Sequence, residues 1–424
     1  SFINYKELNE IIIPLSVTSI GERSFLGCIQ LTEITIPTSI TSIGNYAFSD
    51  CRKLKQIIIP LSVISIGDYA FSGCSSLTKI LILSSVSSIG SYAFNKCTSL
   101  TQITIPSSVK SIGQNAFNEC SSLNKITVPY SVVSFLSEVI KRIESIEVTG
   151  DIKYISNRLL EGCYTLKYIS IPSSVNSIGE YVFRGCFSLI KISIPPNLNS
   201  IGCSAFDTCK SLERLTIPSS VSLIGDNAFN GCRKLKEIII PSSVTSINDH
   251  AFSECQSLTQ ISIPSTVTSI GYSAFKGCTS LTQIIIPSSV NSIGSYAFCG
   301  CSSLIQISIP SFVTSIESDL FHGCSSLKEV SFSSSVTSIG DSAFYGCSSL
   351  AQIPIPSTVI CIGNSAFCGC SKLEQILIPS SLTLIGSYLF HGCSSLKQIS
   401  IPYSVTSIGD SAFYGCSSIT QISI

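Results

Sequence analysis

The 424-residue chain has no tryptophan, no methionine and only three histidines. Charge is also scarce: 12% of residues are charged, and 25 basic side chains are matched by 25 acidic ones. A neutral chain creates no field that steers nucleic acid or an anionic membrane surface towards it. Long apolar runs are missing as well. The mean hydropathy of +0.46 comes from isolated Ile, Leu and Val, and nothing approaches the roughly 20 consecutive apolar residues that span a bilayer. There is no signal-like N-terminal segment, and Ser1 in place of a starting Met reads as a piece of something longer. No Asn-x-Ser/Thr sequon occurs. With no histidine cluster to complete a zinc set, no metal and no cofactor are expected.

What the chain has in plenty is cysteine, 21 residues in all. Cys28, Cys51, Cys74, Cys97 and Cys120 are spaced by 23, and a second series runs from Cys163 to Cys416 at the same spacing. With Tyr5 as a degenerate first member, and the gap before Cys163 read as 23 plus 20, residues 1–424 form one domain of about 18 to 19 turns. Self-similarity at such a period is the signature of a solenoid. The stretch SVTSIGDSAFYGCSS at 335–349 returns at 404–418, three periods later.

Counting forward from the repeating cysteine as place zero, Leu258, Ile261, Ile263, Val267, Ile270, Ala274, Phe275 and Cys278 make one complete apolar set. Places 6 and 8 alternate with polar residues, the two-residue period of a half-buried strand. Proline at place 9, such as Pro264, closes that strand. Val267 and Ile270 predict a second short extended piece. Asp, Ser or Asn at place 17 (Asp68, Ser91, Asp226, Asp341, Asn364, Asp410) predicts an N-cap, followed by about one helical turn bearing the Ala-Phe pair. The single glycines at turn corners are expected to take a positive backbone angle. One turn cannot bury its own core, so every turn must share it with its neighbours.

The run L-x-x-I-x-I-P-x-x-V-x-x-I-G-x-x-A-F-x-x-C, seen at Leu258 to Cys278 and elsewhere, resembles the BspA-like leucine-rich repeat family of surface proteins. The resemblance covers nearly the whole chain. It implies a right-handed leucine-rich-repeat superhelix with a parallel sheet on its concave face, and short strands and single helical turns elsewhere. It also implies adhesion to host cells or to matrix proteins such as fibronectin, at the cell surface or in secreted form.

The 17 repeat-place cysteines read as small buried core fillers. Outside that place stand Cys203, Cys299, Cys361 and Cys368, and an odd total leaves at least one thiol unpaired, which pulls towards a cytoplasmic setting. Catalysis finds little support, and the chain reads as non-enzymatic. His250, His322 and His391 are scattered, and the elbow-like run from Gly409 to Phe413 lacks its second glycine.

Places 5 and 7 flank the core isoleucines and should point out of the main sheet. Place 5 reads Gln260, Gln283, Gln306, Glu329, Gln352, Gln375, Gln398 and Gln421 over the last turns, and Tyr168, Lys191, Arg214 and Glu237 before them. These residues form either a contact surface for a protein partner or a structural ladder in which each amide bonds the next. Exposed Ile58, Leu81 and Ile239 add apolar spots at place 7. Tyr46, Tyr69 and Tyr92 share place 18, as an alternative binding edge or a self-stacking stripe. From about 138 to 161 the turn is shortened and dense in charge (Lys141, Arg142, Glu144, Glu147, Asp151, Lys153, Arg158), either a docking point or drift in a redundant array. The reading is a protein-interaction module of adhesin type. The rivals are an intracellular scaffold and end-to-end self-association of open solenoids.

Overall fold

The computed structural model describes residues 1–423. Two compact units are present. One comprises Ser1–Lys153 with Gly162–Ser174, and the other Tyr154–Glu161 with the chain from Val175 onward. Each is built of coils of about 23 residues, stacked so that equivalent places lie over one another.

The first side of each coil is the main strand. In the second unit Gln375–Leu377 pairs in parallel with Gln398–Ser400, Gln375 facing Gln398 and Ile376 facing Ile399, and Gln398–Ser400 pairs likewise with Gln421–Ser423. In the first unit Gln56–Ile59 pairs with Lys79–Ile82. The exposed-buried-exposed pattern of Gln260–Ser262 shows why: Ile261 drives the strand inward while its polar neighbours stay in water. At Pro264 the strand stops, and Val267 N–H donates back to the Pro264 carbonyl at 3.0 Å.

The second side is the short strand expected from Val267 and Ile270. Ser269–Ile270 pairs with Ser246–Ile247 and with Ser292–Ile293, again at an offset of 23. Inside the coils, Leu258, Val267, Ala274, Phe275 and Cys278 are completely buried. The place-20 phenylalanines stack face to face. Phe206, Phe229, Phe252 and Phe275 follow one another at centroid separations of 5.4, 5.5 and 5.7 Å, which supplies a continuous apolar column along the unit.

The third side corrects the sequence expectation: it carries no helical turn. It is a run of overlapping turns in which successive N–H groups alternate in direction. Ala297, Cys299 and Cys301 donate within their own coil to Gly294, Tyr296 and Phe298, whereas Tyr296, Phe298 and Gly300 donate to Ser318, Leu320 and His322 of the next coil. A helix would send every N–H along its own axis and leave the next coil's carbonyls unpaired. Alternation requires left-handed residues, so place 18 takes a positive φ without glycine, as at Tyr46 (56°), Asn227 (57°) and Tyr296 (60°). That conformation costs about 1–2 kcal/mol per residue, offset here by an inter-coil hydrogen bond at each site.

The glycines divide into two kinds. At place 22 the expected positive angle is present, for instance φ of 74° at Gly300. At place 16 it is not. There glycine is needed for close approach, since a Cβ on Gly294 would sit 2.6 Å from Tyr272 N and 2.8 Å from the Gly271 carbonyl carbon.

In the first unit one coil departs from this plan. A 3-10 segment, Tyr130–Leu136, runs into a short helix, Ser137–Ile140, and Lys125–Pro129 pairs with Ser145–Thr149 at an offset of 20. Val132, Val133, Leu136, Val139 and Ile140 point inward and keep the core filled. The charges of this stretch sit at the surface in exposed pairs, Lys167 with Glu144 at 2.9 Å and Lys141 with Glu138 at 3.7 Å, each worth about 0–1 kcal/mol.

Candidate binding face

Three polar rows recur along the second unit, and their hydrogen bonds distinguish them. At place 17 the side chains expected to cap helices instead cap the next coil. Asp341 Oδ1 accepts from Asn364 N–H at 2.6 Å, and Asn364 Oδ1 accepts in turn from Ser387 N–H at 2.8 Å. The same ladder runs through Asn45, Asp68 and Ser91 in the first unit. It satisfies backbone donors that the left-handed turns aim between coils.

At place zero the cysteines do more than fill space. Cys278 Sγ donates to the Phe252 carbonyl at 3.2 Å and Cys301 Sγ to the Phe275 carbonyl at 3.2 Å, a bond repeated along both units. A small apolar side chain with one weak donor suits that slot, and the signal in the sequence was the persistence of Cys where Ala or Val would pack. Burial pushes the Cys278 thiol up to about 12. Of the extra cysteines, Cys361 is exposed, Cys203 and Cys299 are half-buried, and Cys368 is buried.

Place 5 is different. Gln260, Gln306, Gln352, Gln375, Gln398 and Gln421 are exposed on the main strands, and Gln283 joins them through a bridge to Gln306. Gln306 faces Glu329, and Gln352 faces Gln375 in register. None of the seven amides hydrogen-bonds another side chain among the described residues, so the self-satisfied ladder is not what the structure holds. The row from Gln283 to Gln421 forms one side of a trough of about 1210 Å³, with Ile285, Ser308, Ser331, Pro354 and Leu377 of place 7 beside it. Among the described residues, Lys328 and Glu329 are its only charged lining residues.

The other candidates lie outside this trough. Arg214 and Glu237 pair with each other at 2.9 Å, directly across adjacent strands, and Lys191 is exposed on its own strand. Tyr168 is exposed on a main strand of the first unit. In that unit, too, Tyr46, Tyr69 and Tyr92 stack at 4.7 and 4.8 Å with rings nearly parallel. Arg23 covers one end of the stack and Asn115 Nδ2 donates to the Tyr92 hydroxyl at 2.8 Å at the other, so these rings are engaged with their neighbours.

Place 21 holds a constellation that spacing arithmetic could have found: Cys299, His322 and Tyr345 occupy it on successive coils, as do Cys368, His391 and Tyr414. His322 Nδ1 lies 2.9 Å from Asp319 Oδ1, and its ring stacks on Tyr345 at 4.6 Å. Burial raises the thiols of Cys299 and Cys368 above their ordinary value, the reverse of what a nucleophile requires. No group of three metal-ligating side chains is present among the described residues.

Parallel strands of one 23-residue coil, a Leu-Ile core and outward polar rows define a leucine-rich-repeat protein. The sequence matches the BspA type leucine rich repeat region in six copies, over residues 1–124, 137–259, 245–374 and 314–424. The chain belongs to the BspA-type leucine-rich repeat family. Among solved structures it is similar to a leucine-rich repeat protein from Bacteroides ovatus, with 29% identity over 94% of this chain and 91% of that one and a TM-score of 0.48. It is also similar to a leucine rich cell surface protein from Faecalibacterium prausnitzii, with 27% identity over 98% of this chain and 87% of that one and a TM-score of 0.30. No curated protein matches the sequence. No helix among the described residues is long and apolar enough to cross a membrane.

Proposed function

We propose that the chain is a non-enzymatic protein-interaction module of adhesin type, displayed at the cell surface and binding a host or matrix protein through the glutamine-lined trough. The observation that carries this reading is the row of exposed amides with no internal partner. The place-17 caps and the place-zero thiols are hydrogen-bonded to the neighbouring coil, whereas the place-5 amides leave donors and acceptors free along one side of the trough. Membership of the BspA-type family supports the surface assignment.

The cytoplasmic alternative drew its weight from unpaired thiols and from the absence of any Asn-x-Ser/Thr sequon. Sixteen of the 17 repeat-place cysteines are buried, and a protonated, inaccessible thiol is inert in an oxidising medium as well. That leaves Cys361, exposed, and Cys203, Cys299 and Cys416, half-buried, as the thiols an oxidising medium would reach.

Antibody labelling of intact source cells, followed by permeabilisation, tests the location: signal on intact cells is expected, and signal only after permeabilisation overturns it. For the face, Gln306, Gln352 and Gln375 are replaced together by Arg, and retention on fibronectin-coated plates is compared with the unaltered chain. Loss of retention with an unchanged unfolding midpoint is expected. Equal retention moves the contact to the Tyr46–Tyr92 edge or to the irregular coil.

A further inference from the structure

The trough has a period, and a ligand lying along it must match that period. Parallel strands are about 4.8 Å apart, so every second coil recurs at about 9.6 Å. An α-helix with a pitch of about 5.4 Å slips by roughly half a coil within four turns. An extended strand repeats its side chains at about 6.8 Å, so two repeats fall about 0.8 Å short of three coils and the slip reaches about 1.6 Å over six. A polyproline II helix advances about 3.1 Å per residue with three residues per turn, or about 9.3 Å, and stays within about 1 Å of register over six coils.

Resting on the reading of the trough as a binding face, we infer that its occupant is a neutral, proline-rich polyproline II segment lying across the strands. The seven place-5 residues from Gln283 to Gln421 span about 29 Å, the length of about nine such residues. Backbone chemistry agrees. Polyproline II makes no internal hydrogen bonds, so its carbonyls need outside donors, and each glutamine offers an amide NH₂ with no competing side-chain partner. Charge agrees too, because among the described residues Lys328 and Glu329 are the only charged ones lining the groove. Shape supplies the third argument. Ile285 and Leu377, 82% and 74% exposed, stand in the same row at the two ends of a low stretch floored by Ser308, Ser331 and Pro354, which leaves a shallow bed for pyrrolidine rings between two apolar side chains.

The test is fluorescence anisotropy of labelled decaproline on the full chain, against a Gly-Ser peptide of equal length and a neutral alanine-rich helical peptide. Decaproline should bind at least about tenfold more tightly than either. Its affinity should change less than about twofold between low salt and about 0.5 M salt, since no ion pair is involved. The double variant Gln352→Leu and Gln375→Leu should weaken it about tenfold with an unchanged unfolding midpoint. Preference for the helical peptide, no preference for decaproline, affinity retained in the double variant, or concentration-dependent self-association as the only signal overturns the inference. Fibronectin retention that is lost in the triple Arg variant while decaproline fails to bind leaves the trough a binding face and removes only this occupant. Decaproline binding with undiminished fibronectin retention in that variant keeps the trough as a polyproline site and removes only fibronectin as its ligand.

Discussion

Two rows of short polar side chains run along the same unit at the same 23-residue interval, and they behave oppositely. Asp341 and Asn364 at place 17 are occupied, each holding a backbone N–H of the next coil. Gln352 and Gln375 at place 5 face each other across adjacent strands and hold nothing. Regular repetition is therefore no guide to whether a row serves the fold or the surface. The distinction lies in where the orphan backbone donors are: the left-handed turns aim theirs between coils, within reach of place 17, whereas the main strands satisfy theirs in the parallel ladder and leave place 5 unemployed.

The largest expected effect lies in a second occupied row, the thiols. Burial raises the folded-state pKa of the repeat-place cysteines from Cys209 to Cys370, to about 12 at Cys278 from an ordinary value of 9.0. The unfolded chain loses its thiol protons first, so stability is fully present below about pH 9 and falls as pH rises towards 12, by up to about 1.4 kcal/mol per pH unit for each thiol. With many thiols acting together, circular dichroism should show cooperative loss of structure between about pH 10 and 11. A signal that stays flat through that range would break the claim that this row is sealed in the core.

Next in size is a contrast between two glycines. Gly294→Ala drives a Cβ to 2.6 Å from Tyr272 N in the neighbouring coil, whereas at Gly300 the nearest atom would be 3.6 Å away and only the positive φ is at stake. The first should cost about 3 kcal/mol or more and the second about 1–2 kcal/mol, read as shifts in urea midpoint. Equal costs would mean that coils are held apart by backbone angle and not by contact.

How much of this was legible beforehand follows from the kind of physics involved. The period, the main strands, the second strand at Ser269–Ile270 and the buried set around Phe275 are burial effects, and burial is written in the alternation of residue types. The third side was misread because Asp or Asn followed by Ala-Phe satisfies a helix cap as well as it satisfies an inter-coil acceptor. Only the position of the next coil decides between them, and local sequence does not contain it. The same limit applied to Gly294, where a turn corner suggested a backbone angle and the cause was a neighbour 23 residues away. At the candidate face, the outward direction of place 5 followed from strand period, but the freedom of its amides did not: Gln rows and Asx rows look alike until their partners are counted.

Removing one rung of the occupied polar row should come third. Asp341→Ala leaves Asn364 N–H without its 2.6 Å acceptor, and an orphaned donor costs about 1–3 kcal/mol, with partial solvent access favouring the lower end. Asp341→Asn keeps an acceptor oxygen at the same place and should recover most of that loss. A deficit that persists in the Asn variant would point to charge and not to the hydrogen bond.

The smallest stability effect should be the most informative. Gln352→Ala deletes a side chain of the same repeat, on the same unit, with the same chemical amide as Asn364, and no hydrogen bond disappears with it. An exposed strand residue without a partner is worth within about 0.5 kcal/mol, so its urea midpoint should stay at that of the unaltered chain while Asp341→Ala moves. A drop comparable to that of Asp341→Ala would mean that the glutamines do support the stack, and the trough would then be lined by structural groups with little left to offer a ligand. An unchanged midpoint keeps seven exposed side chains with no task in the fold, which is the physical condition a binding face must meet.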